Sequence, residues 1–215
     1  SPEYEVIHVP PLSPAEVAEV LSDDYAPRDT LGRAELARAV RALTDGRPSY
    51  VQLLDDAMRG MDGSVGDDPV AALAGQMARG ALLWERCRFC YELRLHRARG
   101  YGALKAILQV LAEQEPLTLT EIAQRLRRTP GSTKDYLSWL EDVDLISAGQ
   151  KRYGFVDPLL RLWVRLHCRP EPLDEEQLAR EVQRFAHGVL PEVEPALAAA
   201  SDPVADRSWS VVEID

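Results

Sequence analysis

The side chains in this sequence best suited to contact chemistry gather between positions 127 and 152. Arg127 and Arg128 stand together, Ser132, Thr133 and Lys134 follow directly on a Pro-Gly pair, and Lys151-Arg152 lies further along. Guanidinium and ammonium groups bind phosphate oxygens, and short hydroxyls add hydrogen bonds. The set therefore suits a nucleic-acid backbone or an acidic protein surface. Glu141, Asp142 and Asp144 come close behind and oppose a polyanion.

Other chemistry is poorly provided for. Cys87-Arg88-Phe89-Cys90 is a lone CxxC with only His96 near it. Zinc takes four ligands, and a redox CxxC opens a helix after a strand. This one sits inside a helical stretch, so both cysteines are expected to be small packing residues. His8, His96, His167 and His187 are scattered, and no Ser/His/Asp or Cys/His set suggests itself. A phosphate-cradling loop needs Gly-Lys-Ser/Thr, yet none of Lys105, Lys134 and Lys151 follows a glycine. No catalytic residue and no metal ligand is assigned, and the chain alone is expected not to be an enzyme.

The elements that must hold the basic residues are well marked. Leu104, Ile107, Leu108 and Leu111 repeat at helical spacing on one face. Thr118-Leu119-Thr120-Glu121 is a capping box for a short second helix burying Ile122, Ala123 and Leu126. Arg127 to Gly131 makes the turn, and a third helix turns Leu137, Leu140 and Val143 inward. Leu145-Ile146-Ser147, a basic turn over 148–152 and Tyr153-Gly154-Phe155-Val156 form a hairpin. Asp157-Pro158 then starts a helix, as N-cap and first helical residue. Three helices followed by a hairpin predict a winged helix-turn-helix over 101–170. If such a domain binds DNA, Lys134 near the start of the third helix approaches the major groove, and Lys151 and Arg152 on the wing touch phosphate.

Upstream, Leu12, Ser13, Pro14, Glu16 and Val17 spell a complete helix start, with staple, N-cap, first-position proline and capping-box acid. A second helix is expected from about Arg33 to Leu43, ended by Gly46 in a left-handed C-cap, and Arg47-Pro48 restarts the chain into a third. Gly60 to Pro69 reads as a loop. Asp68-Pro69 caps one long helix into the 90s that tolerates Gly75 and Gly80, with Arg97 to Gly100 as the joint to the winged helix. Trp84, Trp139 and Trp163 are expected in the core. An N-terminal strand over Glu5–Val9, an acidic helix over Glu175–Val189 and an edge strand over Trp209–Ile214 complete the reading.

Composition sets the frame. With 46% hydrophobic and 28% charged residues, the 215-residue chain is an ordinary globular sequence, and no apolar run approaches membrane-spanning length. Three cysteines argue against a disulfide framework and for a reducing cytoplasm. The chain opens Ser1-Pro2 without a methionine, which suggests a piece of a longer protein. The net charge of −10 divides into −4 over residues 1–100, +2 over 101–170 and −8 over 171–215. An acidic tail of that sign would repel a polyanion or cover a basic surface of the same chain.

The order of these segments resembles the C-terminal half of prokaryotic P-loop ATPases of the signal-transduction (STAND) group within the AAA+ superfamily. The similarity is to the archaeal-type members that join a nucleotide domain to a winged helix. It is carried by Pro11-Leu12-Ser13 with Glu16, by Gly46-Arg47-Pro48, and by Phe155-Val156-Asp157-Pro158-Leu159-Leu160-Arg161 with Trp163, over about Val6 to Leu166. The resemblance implies a helical lid whose Gly46-Arg47-Pro48 element lies against the adenine end of a nucleotide. It also implies ATP or ADP with Mg in an upstream nucleotide-binding domain, and no cofactor in this chain. The expected fold is mainly α, a helical lid bundle followed by a winged helix-turn-helix with a small β wing. The expected organisation is a lid region over 1–66 with a residual strand, a connecting helix over 67–100, the winged helix over 101–170 and an acidic segment over 171–215. The expected function is regulatory, coupling nucleotide state to a partner through the winged helix. A protein partner is favoured over DNA, and no membrane is involved. The alternative is a DNA-binding winged-helix transcriptional regulator.

Overall fold

Several helices in this chain start where a side chain satisfies their free amide groups, as Ser13, Asp68, Thr118 and Asp157 do. In the computed structural model, which describes residues 10–21, 30–60, 68–96 and 100–191, Ser13 accepts from the Glu16 amide while Glu16 accepts from the Ser13 amide. That reciprocal pair opens α1, Pro14–Val20. α2 (Thr30–Thr44) starts three residues before the expected Arg33 and leads into α3 (Pro48–Arg59). Asp68 caps α4 (Pro69–Met77), accepting from the amides of Val70 at 2.9 Å and Ala71 at 3.0 Å.

The single long helix expected after Asp68 is two helices. α4 ends at Met77, Ala78 turns extended, and Gly80 takes φ +88° before α5 (Leu82–His96) begins. A left-handed residue breaks the ladder of helical hydrogen bonds, and glycine adopts that conformation at little cost. The break lets the chain turn back instead of running on as a rod.

From position 100 the elements follow in the order α6 (Tyr101–Glu113), β1 (Leu117–Thr118), α7 (Leu119–Arg125), α8 (Pro130–Asp142), β2 (Ile146–Gly149), β3 (Arg152–Phe155), α9 (Pro158–His167) and α10 (Glu175–Val189). The Thr118/Glu121 capping box and the Asp157-Pro158 start are both present. The hairpin is tighter than expected, because Gly149 pairs with Arg152 across a two-residue turn of Gln150 and Lys151. β1 is a strand that local pattern did not mark. It pairs antiparallel with β3, Leu117 opposite Tyr153 and Thr118 opposite Arg152, to give a three-stranded sheet of order β1-β3-β2. Mainly helical with one small antiparallel sheet, the fold has the coarse class expected of it.

α9 is the central helix. Leu159, Leu160, Leu162, Trp163, Val164 and Leu166 are all buried, over more than half of its circumference, because α6, α5, α10, α2 and β3 pack against it. So wide an apolar stripe needs several partners to cover it, and the face that is left carries Arg161 and Arg165, paired with Glu115 and Glu181. One apolar cluster runs from Val17 in α1 to Ala186 in α10 without a gap at position 100. α10 buries Leu178, Val182 and Ala186 and lies on α4, α9 and α2. Trp163 is buried as expected, whereas Trp84, Trp139, Leu126 and Val143 are half-buried. None of the described helices is long and apolar enough to cross a membrane. The strand read over 5–9, residues 61–67 of the expected loop, residues 97–99 of the expected joint and the strand read over 209–214 lie outside the described residues.

Candidate functional site

The turn between α2 and α3 is built by two successive left-handed residues, Asp45 at φ +53° and Gly46 at φ +65°. The Gly46 carbonyl accepts from the Leu12 amide at 2.7 Å. A Cβ on Gly46 would stand 2.5 Å from the Leu12 carbonyl oxygen, so only glycine lets the two backbones approach. Pro48 takes the first position of α3, and Arg47 is its N-cap residue without making a side-chain cap. The Arg47 guanidinium is therefore available elsewhere. It donates to the Val156 carbonyl at 2.6 Å and lies 3.6 Å from the Asp157 carboxylate.

Asp157 gathers three elements. One carboxylate oxygen caps α9, accepting from the Leu159 and Leu160 amides at 3.0 and 3.1 Å. The other accepts from the Tyr50 hydroxyl of α3 at 2.7 Å. Burial first, and then the Asp157 charge, pushes the Tyr50 hydroxyl far above its ordinary value, so it stays protonated and donating. The same two causes raise the Cys87 thiol of α5 well above the usual range. A thiol held protonated is a poor nucleophile.

A second carboxylate braces the sheet. Glu115 accepts from the Phe155 amide at 2.7 Å and pairs with Arg161 of α9 at 3.2 Å. Burial raises its pKa, opposed by the Phe155 bond and by Arg161. Gly154 leaves room for it, since a Cβ there would meet the Glu115 carboxylate at 3.2 Å. Neither Glu115 nor Tyr50 carried a local sequence signal, and Arg161 stood out only within the Phe155–Arg161 motif, because the partners of all three lie far away in the chain.

The basic residues do not form one uniform face. Arg127 is exposed at φ +51° in the α7–α8 turn, and Lys134 on α8 and Lys151 at the hairpin tip are exposed as well. Arg128 lays its guanidinium 5.5 Å from the Tyr136 ring centroid. Arg152 donates to the Pro116 carbonyl at 3.1 Å and lies 3.7 Å from Glu121, tying the hairpin to the first turn of α7. Ser132 is half-buried, its hydroxyl bonded to the Thr129 carbonyl at 3.1 Å. Thr133 is fully buried and bonds the same carbonyl at 3.0 Å, which removes it from any surface contact. Its hydroxyl serves the helix start instead.

Comparison with known proteins gives no match: no family model, no characterised protein and no solved structure is similar to this chain.

A groove of about 720 Å³ lies between α4 and α10, with Val70, Ala74 and Leu178 on its walls and His167 at one edge. His167 Nε2 lies 3.0 Å from the Met77 carbonyl, and its ring stands edge-on to Trp84 with centroids 5.9 Å apart. Among the described residues, no group of three or more His, Cys, Asp or Glu is arranged to hold a metal ion. The polar arrangements therefore centre on Arg47–Asp157–Tyr50 and on the basic residues of α7, α8 and the hairpin. An anion approaching Arg47 would have to displace the Asp157 carboxylate, so this arginine is a tie between elements first.

Proposed function

We propose that this chain is the regulatory C-terminal region of a P-loop ATPase, in which a helical lid passes nucleotide state to a partner through a winged helix-turn-helix. The winged helix is α6, α7 and α8 with β1 and the β2–β3 hairpin as its wing. The observation that carries the reading is the Arg47 tie. The turn assigned to the nucleotide, Gly46-Arg47-Pro48, is bonded to the last wing residue, Val156, and to the cap of α9, Asp157. A turn that shifted on meeting a nucleotide would pull on the wing directly, and such differential contact is what allosteric coupling requires. ATP or ADP with Mg belongs to the upstream nucleotide-binding domain in this reading, Gly46 and Pro48 lining its adenine end. A cytoplasmic location is part of the same proposal and accords with three free cysteines.

Amide exchange over residues 146–156 of the full-length protein, compared in ATP with Mg²⁺ and in ADP, tests it. Protection is expected to differ between the two nucleotides, and Arg47→Ala to remove the difference while nucleotide still binds. A protein that binds no nucleotide, or a wing indifferent to it, ends the reading.

The partner favoured is a protein, since Asp135, Glu141 and Asp142 place acid along α8 beside Lys134. One observation favours the alternative, a DNA-binding regulator. Arg127, Lys134 and Lys151 are exposed and have no ion pair among the described residues. Titration against random duplex at several salt concentrations separates the two. DNA binding requires Lys151→Ala to weaken affinity for all sequences and to lower the salt slope by about one.

A further inference from the structure

α5 is apolar on two opposite sides. Leu83, Cys87, Tyr91 and Leu95 face the core at intervals of four and are buried. On the other side Leu82, Phe89 and Leu93 are 57%, 65% and 48% exposed, far more than large apolar side chains on a finished surface need to be. With Arg86 and His96, both exposed, they fall at alternating steps of four and three residues. That is the spacing of a helix–helix seam. Tyr101, 44% exposed at the start of α6, extends the patch past the end of α5.

We propose that this outer face of α5 is a self-association surface, and that its occupant is the same face of a second copy of this chain, laid antiparallel about a two-fold axis. The seam is self-complementary in that direction. Setting Leu82 against Leu93 of the second copy brings Arg86 over Phe89 of the second copy, and the two-fold repeats both contacts. Arg86 is free for this, with no ion pair among the described residues, whereas its neighbour Arg88 is bridged by Glu85 at 3.8 Å and by Glu92 at 3.5 Å. Those bridges also neutralise the two glutamates that would otherwise face their counterparts across the axis. A guanidinium over an aromatic face is attractive, and more so once water is excluded. A parallel arrangement would stack Arg86 on Arg86 and is disfavoured. The proposal is independent of any nucleotide or DNA role.

Analytical ultracentrifugation of the full chain over a concentration series tests it. The mass is expected to rise from 24.0 kDa towards twice that value. Phe89→Glu, on an exposed position that leaves the core intact, should weaken self-association by about thirtyfold or more, the size of a hot-spot loss. Phe89→Trp should retain it. Register is tested by mixing Leu82→Cys and Leu93→Cys variants under mild oxidation. With the half-buried native Cys90 and Cys168 replaced by Ala in both variants, no chain holds both added cysteines, so a disulfide between positions 82 and 93 must join two copies. The mixture should cross-link faster than either variant alone. A chain that stays monomeric throughout, or an association unmoved by Phe89→Glu, overturns the proposal. So does an association abolished by Trp209→Asp with Val212→Asp, which would make the C-terminal tail the occupant.

Discussion

The Tyr50 hydroxyl donates to the Asp157 carboxylate at 2.7 Å across 107 positions of sequence, and the same carboxylate caps α9 through its other oxygen. One side chain thus joins α3 to the start of the central helix, with Arg47 closing the arrangement from the side. Asp157→Ala should cost about 2–4 kcal/mol, because it removes a helix cap and leaves Tyr50 and Arg47 without their acceptor. Tyr50→Phe should cost about 1 kcal/mol. Urea denaturation gives both values, and a Tyr50→Phe/Asp157→Ala cycle should return a coupling of about 1 kcal/mol.

Glycines at two positions should respond in opposite directions. Gly46→Ala forces a side chain into a left-handed residue and against the Leu12 carbonyl 2.5 Å away, at a cost of about 2 kcal/mol or more. Gly75 sits in α4 with nothing within 4 Å of an added Cβ, so Gly75→Ala should stabilise by about 0.5–1 kcal/mol. Thermal melts of the two variants should move to opposite sides of the parent.

The hairpin tip carries an avoidable strain. Gln150 and Lys151 take φ +52° and +63°, a turn in which asparagine and glycine are at ease and long side chains are not. Gln150→Asn with Lys151→Gly should stabilise the chain by about 0.5–1 kcal/mol. An unchanged melting temperature would mean the hairpin opens before the rest of the fold.

Burial lowers the His167 pKa below its ordinary 6.5, with the Met77 carbonyl bond opposing and Arg79 adding to the shift. A base with a depressed folded pKa binds its proton more readily once unfolded. Its stabilising contribution is therefore complete above about pH 6.5 and is lost as pH falls through the folded value. Melting temperature should fall between neutral and mildly acid pH, and His167→Gln should flatten that fall. A variant whose slope matches the parent would place the acid sensitivity elsewhere.

What could be read from residue order alone was whatever a few neighbouring residues decide together. The Ser13/Glu16 and Thr118/Glu121 boxes, the Asp157-Pro158 start and the left-handed Gly46 all closed as expected, because the donor and acceptor of each cap lie within three or four positions. The mainly helical class and the hairpin followed from the same local chemistry. Tertiary contact decided the rest. β1 is two residues long and exists because β3, more than thirty positions on, offers it a free edge. Gly80 became a break because α5 had to fold back onto α9, whereas Gly75, five residues earlier, stayed helical. Thr133 looked available and is buried, while Arg47 found its partner only when Asp157 was brought beside it. Caps and turns are short-range bonds that a short stretch of sequence contains whole. Burial and ion pairing depend on which distant surface arrives, and that is settled only when the apolar faces of the helices close around α9.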